Sequence, residues 1–237
     1  VIHHLDDPGA GLQALTDRLV EGGILRLMVY SRGARRDIES IRRALRLLGI
    51  EEVAAARSLL SRAPAGSRVR ETLMGLREAC TDSGFADAFL HPAVRSFRIE
   101  ELMTLTEQVG LTPLLFAHPG AVKDVAAEVE RLRQGEKRGE IFHNYQLYLA
   151  KRPQWASTGH KKTRLMLNPV LKREVSPFRL MPLRIDGRLG FENPPIDIAA
   201  RRFLRMFRDP VSMASLSAGD LEKTWPYQDA LFLVSIR

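Results

Sequence analysis

The chain has 237 residues, 45% of them hydrophobic, with one cysteine and a net charge of +8 at neutral pH. That apolar share supports a packed core and argues against a disordered chain. The lone Cys80 excludes an internal disulfide framework and fits a reducing, cytoplasmic setting, and no apolar run approaches the roughly 20 residues of a membrane span.

The first eight residues read Val1-Ile2-His3-His4-Leu5-Asp6-Asp7-Pro8. Asp7 can cap a helix with Pro8 at its first position, where a missing N–H costs nothing. Leu12, Leu15 and Leu19 recur at helical spacing, and Gly22-Gly23 ends the helix. Ile24 to Tyr30 is apolar with little alternation, which predicts a buried strand of a parallel sheet.

Residues 32–81 predict a helical insertion. Ile38, Ile41, Leu45 and Leu48 make one stripe, Val53, Leu59 and Leu60 a second, and Val69, Leu73, Leu76 and Cys80 a third. After Phe97 the chain returns to an α/β order. A helix spans 99–109 and closes at Gly110. A strand spans 111–117, a charged helix 122–132, and a further strand 141–150.

A boundary falls at Arg152-Pro153, and 154–162 reads as a linker. The organisation is therefore a domain over 1–152 and a module over 153–237. The module carries prolines at 169, 177, 182, 194, 195, 210 and 226, too many for long helices. Ile198, Phe203 and Phe207 predict one short helix after Asp197. Residues 216–225 predict another, capped by Ser217, and 230–236 a final strand. This predicts a small α+β unit, winged-helix-like. Residues 1–150 hold 20 Lys and Arg against 20 Asp and Glu, whereas 151–237 hold 16 against 8, so the whole excess lies in the tail. Such a tail can attract polyanions, nucleic acid among them, although a solvated basic face is the preferred reading.

The order of these segments resembles the second half of a class I S-adenosylmethionine-dependent methyltransferase. Val1 to Pro8 is similar to the "V-L-H-H-L-x-D-P" segment after that family's fourth strand. Gly22-Gly23-Ile24-Leu25-Arg26-Leu27 is similar to the "P-G-G-x-L-x-L" entry into its fifth. Glu101 to Leu111 fits "E-L-x-x-L-x-x-x-x-G-L", which precedes its sixth. The resemblance covers roughly residues 1–150 and implies a partial Rossmann-like sheet whose last strand is antiparallel to the others. It implies S-adenosylmethionine as cofactor, bordered by Val1, Ile2, His3, His4 and Leu5. It also implies that the glycine-rich cofactor loop lies before residue 1. The chain is then expected to be a fragment, inactive alone, of an enzyme that methylates an unidentified acceptor. The alternative is a non-catalytic basic module that binds nucleic acid or a partner on an α/β scaffold.

His4 either borders the cofactor or accepts a proton, since an imidazole titrates near neutrality. Tyr30-Ser31-Arg32 ends the predicted strand, where open α/β sheets bind ligands; Tyr30 either faces substrate or sits satisfied in the core. Phe85-x-Asp87-x-Phe89-x-His91-Pro92-x-x-Arg95 resembles the "D-x-F-x-H-P-x-x-R" of a subgroup of these enzymes. Phe89, His91 and Arg95 are candidate substrate contacts, with Arg95 as a fork for carboxylate or phosphate. The other reading is a loop tied down by Asp87–Arg95 and histidine–backbone bonds. Adjacent histidines on an extended segment point apart, and the remaining histidines show no paired spacing, so no metal site is expected. Arg201, Arg202 and Arg205, interleaved with Phe203 and Phe207, can touch a nucleic-acid backbone, although aromatic residues at that spacing are more often core.

Overall fold

The computed structural model describes residues 2–153, 163–177, 181–187 and 190–236. The expected linker at 154–162 lies outside them. The chain divides into two compact units, Val1–His118 with Val122–Pro153, and Pro119–Ala121 with Gln154–Arg237.

In the first unit, α1 (Pro8–Arg18) is capped by the Asp7 carboxylate, which accepts from Ala10 N–H at 3.0 Å. Strand β1 (Ile24–Val29) follows. Four helices come next: α2 (Arg32–Leu47), α3 (Val53–Ser61), α4 (Arg68–Gly75) and α5 (Asp82–Phe89). Then α6 (Ile99–Gln108) leads to β2 (Leu111–Phe116), and α7 (Val125–Arg138) to β3 (Tyr145–Lys151). The sheet order is β1-β3-β2, with the last strand between the other two and antiparallel to both.

The elements depart from the sequence reading where a cap or a pairing partner decides. Helix α7 starts at Val125 because Asp124 caps it, accepting from Ala127 N–H at 2.7 Å, and it runs on to Gly139, whose φ of 71° ends it. Strand β3 starts at Tyr145, opposite Val29, because β1 offers no partner beyond that point; Phe142 stands outside it, exposed. Strand β1 is not buried on both faces: Leu27 and Val29 are buried while Ile24, Arg26 and Met28 are exposed. Its one described neighbour is antiparallel, so the alternation of a half-buried strand appears.

The insertion has its own core. Ile38, Ile41 and Leu45 of α2 meet Ala56 and Leu60 of α3 and Phe85, Ala88 and Phe89 of α5. Each such side chain contributes about 1.5–3 kcal/mol by burial. Leu48 falls off the expected stripe and is exposed, because α2 ends at Leu47 and Gly49 turns the chain with a φ of 65°. Gly33 lets α2 pass close to the chain before β3; a Cβ there would sit 2.6 Å from the Ile141 carbonyl oxygen.

The second unit has a sheet of order β5-β4-β6, built from β4 (Arg164–Leu167), β5 (Val211–Ser212) and β6 (Leu233–Ile236), with β4 antiparallel to both neighbours. Helices α8 (Ile198–Arg205) and α9 (Ala218–Asp229) accompany it. Leu165, Leu167, Leu204, Phe207 and Phe232 are among its core residues. Helix α9 is capped by Ser217 and runs through Pro226, whose carbonyl still accepts from Ala230 N–H although the ring removes one donor. The final strand is accordingly shorter than expected, starting after Leu231 turns with a φ of 57°. Phe207 is a core residue and Phe203 packs against that core. Arg201 is buried and donates to the main-chain oxygens of Glu174 and Met181. Among the described residues no helix is long and apolar enough to cross a membrane.

Candidate functional site

The C-terminal end of β1 is where the polar residues of the first unit gather. Three backbone bonds draw the segments together. Arg95 N–H donates to the His3 carbonyl at 2.8 Å, Phe97 N–H to the Tyr30 carbonyl at 2.8 Å, and Arg32 N–H to the Phe97 carbonyl at 2.9 Å. The loop after α5 thus lies between the short helical turn Ile2–His4 and the end of the strand.

Helix periodicity sorts the side chains of α5. Phe85 and Phe89, one turn apart, enter the insertion core. Asp87, midway between them, points to the opposite side and meets His4 and Tyr30. Phe89, a candidate substrate contact from sequence, is therefore placed in packing.

His4 is held by its Nδ1, 3.2 Å from the Ala93 carbonyl oxygen. A carbonyl only accepts, so Nδ1 carries a proton and Nε2 is the nitrogen turned to the cluster. That Nε2 lies 3.5 Å from Asp87 Oδ1. Tyr30 O–H donates to Asp87 Oδ2 at 3.5 Å. His91 accepts at Nδ1 from Ala93 N–H at 3.1 Å, and its ring centre is 4.4 Å from that of His4. His3 stacks on Tyr30 with centres 3.9 Å apart. Burial pushes the His3 imidazole down to about 4, so it is neutral at physiological pH, and burial pushes the Tyr30 phenol up. The donor atoms of His4, Asp87 and His91 all lie within 4.8 Å of one another.

Two arginines of α2 support this cluster. The Arg35 guanidinium lies 3.5 Å above the Tyr30 ring and pairs with Glu78 at 2.8 Å, and Arg42 donates to the His91 carbonyl. Both are buried. The signal for them was present in the sequence. Arg35 and Arg42 stand on the same helical face as Ile38, Ile41 and Leu45, and a charge on an apolar stripe needs a buried partner. Asp87 is the other residue that the candidate set lacked.

The remaining candidates are placed apart from the cluster. Ser31 is fully buried; it caps α2 by accepting from Ala34 N–H and donates to the His143 carbonyl. Arg32 makes a two-pronged pair with Glu101 at 2.9 and 3.0 Å. Arg95 does not pair with Asp87; its guanidinium lies toward the Phe97 ring, and it lines a basic cleft of about 540 Å³ with Leu5, Arg42, Arg43 and Arg46. Ile2 is buried and Leu5 partly exposed. Val1 lies outside the described residues. A larger cleft of about 800 Å³ borders Arg32, Arg36, Arg98 and Arg133, but neither His4 nor Asp87 lines it. The cluster at His4, with its oriented imidazole and carboxylate, is the better candidate on chemical grounds.

One feature fits a ligand beside residues 2–5. His3 Nδ1 is buried without a hydrogen-bond partner among the described residues. The 237 residues hold no glycine-rich loop, so they would border a nucleoside cofactor from one side.

No protein-family model matches the chain. Over 126 residues it is 37% identical to the uncharacterized protein syc1184_c of a Synechococcus species, a match covering 49% of this chain and 30% of that protein. The fold is similar to that of PKMT2 from Rickettsia typhi, with a TM-score of 0.51 and 11% identity over 100% of this chain and 56% of that one. The structure of the same protein in complex with AdoHcy gives a TM-score of 0.49 at 11% identity, over 100% of this chain and 57% of that one. The chain thus spans less than a third of the curated relative and little more than half of the solved one. At this identity the likeness to PKMT2 is one of fold.

Proposed function

We propose that this chain is the acceptor-side part of an S-adenosylmethionine-dependent methyltransferase. The observation that carries the reading is the meeting of the His3-His4 segment, Tyr30 and the 85–95 loop at the end of β1. These are the segments on which the sequence resemblance rests, and the fold likeness to PKMT2 supports it. The resemblance implies an antiparallel last strand, and the antiparallel pairing of β3 with β1 and β2 supports the reading.

In this reading Ile2 to Leu5 border the cofactor, His3 Nδ1 offering a buried polar atom to it. S-adenosylmethionine supplies an electrophilic methyl group on a sulfonium sulfur. The protein's part is to position the acceptor and remove its proton. His4 suits the second task because the Ala93 carbonyl holds its Nδ1, which leaves Nε2 as the nitrogen that faces the cluster. With that cofactor bound, His4 Nε2 would accept the proton that the acceptor gives up on methylation. Asp87, 3.5 Å away, stabilises the imidazolium so formed. Tyr30 and His91 line the acceptor's approach, and Arg95 recognises an anionic group on it from the adjoining basic cleft.

The test is S-adenosylmethionine-dependent release of S-adenosylhomocysteine by the gene's full product, supplied with cell extract as acceptor. His4→Ala and Asp87→Asn are expected to lower turnover by about 10²-fold or more while cofactor affinity stays within about threefold. A full product that does not bind S-adenosylmethionine at millimolar concentration would refute the reading.

A further inference from the structure

We propose that His4, Asp87 and His91 form a binding site for a zinc ion. The donors come from two segments far apart in the chain, the Ile2–His4 turn and the 85–95 stretch, and all lie within 4.8 Å of one another. In tetrahedral zinc sites with bonds of 2.0–2.1 Å, neighbouring donors stand about 3.4 Å apart. His4 Nε2 and Asp87 Oδ1, at 3.5 Å, already have that spacing. For His91 to join, spacings of up to 4.8 Å shorten toward that value.

The orientation of His4 points to a cation. With Nδ1–H donated to the Ala93 carbonyl, Nε2 is the nitrogen that faces the Asp87 carboxylate. Two electron-rich groups at this distance repel one another unless a positive ion, proton or metal, lies between them. A backbone carbonyl on the far nitrogen is also the usual outer partner of a metal-bound histidine, fixing its tautomer and ring plane. Asp87 has an equivalent partner, since its second oxygen accepts from Tyr30 O–H at 3.5 Å. The rings of His3 and Tyr30 pack beside His4 and shield that side, while the Asp87 side chain is 43% exposed. The ion can therefore enter, and a fourth position remains open to water.

His91 bears the cost of binding. Its Nδ1 accepts from Ala93 N–H, so without metal its proton sits on Nε2. Coordination through Nε2 moves that proton to Nδ1 and removes one backbone hydrogen bond at a half-buried position. Two imidazoles and one carboxylate select a borderline ion such as Zn²⁺ over Mg²⁺ or Ca²⁺, which prefer oxygen donors throughout. A zinc ion here would take the same His4 nitrogen that the methyl-transfer reading gives to the acceptor's proton, so an occupied site and that base exclude one another; the test of zinc binding needs no methyl donor.

The experiment is a calorimetric titration of the chelator-stripped 237-residue chain with ZnCl₂, with MgCl₂ and CaCl₂ as controls. One zinc per chain at micromolar Kd is expected, with no heat from Mg²⁺ or Ca²⁺. CoCl₂ in place of zinc is expected to give the visible absorption of a low-coordinate ion. Asp87→Asn, which preserves shape and the Tyr30 contact, and His91→Ala should each weaken zinc binding by about tenfold or more, with far-UV circular dichroism unchanged. Cys80 is an exposed thiol that can bind zinc by itself, so Cys80→Ser must leave the affinity unchanged. Absent one-to-one binding, a smaller loss in either variant, or loss of binding in Cys80→Ser would each overturn the proposal.

Discussion

The two units treat their charge in opposite ways. The first unit, neutral over residues 1–150, commits many of its arginines to carboxylates: Arg32 to Glu101, Arg35 to Glu78, Arg57 to Asp82 and Arg131 to Glu128. In the second, Lys172, Arg173, Arg202 and Arg208 stand exposed. The difference lies in what each charge does. In the first unit an ion pair fastens one segment to another across 43 residues (Arg35–Glu78) or 69 (Arg32–Glu101). In the second the apolar core of Leu165, Leu204, Phe207 and their neighbours ties the segments, with buried Arg201 holding the main-chain oxygens of Glu174 and Met181, while those four cations face water.

The sharpest way to break this comparison is through the second unit's core. Phe207 is fully buried, so Phe207→Ala is expected to cost about 3–5 kcal/mol. Urea denaturation followed by circular dichroism reads it. A loss under about 1 kcal/mol would mean that this unit does not depend on its apolar core.

The first unit is open to acid, through two buried groups with separate windows. His3 is held by burial at about 4 against an ordinary value of 6.5. The unfolded chain therefore binds a proton that the folded chain refuses, and stability falls as pH drops from 6.5 toward 4. Glu128 acts lower. Its burial would raise it, but hydrogen bonds from His118, Arg131 and the Val122 N–H outweigh that and bring it from 4.5 to about 2. Its contribution is complete above 4.5 and disappears as pH falls through 2. Thermal melts from pH 7 to 3 should show the first slope removed by His3→Gln and the second by Glu128→Gln, each leaving the other in place. Melts of both variants that parallel the unaltered chain would show that these groups do not carry the acid sensitivity.

The smallest effect concerns the exposed cations. Arg202→Glu with Arg208→Glu should change stability by less than about 0.5 kcal/mol. The same pair of changes should elute the chain from a polyanion column at lower salt, since each cation in contact releases counterions. An equal elution position would show that these two arginines form no part of an anion-attracting surface.

Local structure was legible where local chemistry decides it. Asp7 and Ser217 cap their helices as read, the 38–45 stripe packs inward, and 111–116 is a strand. Element ends were less legible. Leu48 was counted into a helix that stops before it, and Phe142 into a strand that starts after it, because a chain terminus of an element depends on a turn or a partner strand.

The residue order by itself determined most of the helices and strands and where the acids and bases lie, but it read 85–95 as a loop, whereas Asp82–Phe89 is a helix capped by Thr81. It could not determine that β3 lies between β1 and β2, because either edge of a strand can accept a partner. Nor could it bring His4, Asp87 and His91 together. Spacing reports only residues within a few turns of one another; Asp87 and His91 meet that condition, but His4 lies more than 80 residues before them. The backbone bonds from Arg95 to His3 and from Phe97 to Tyr30 close that distance, and those bonds exist only once the loop has folded across the end of the sheet.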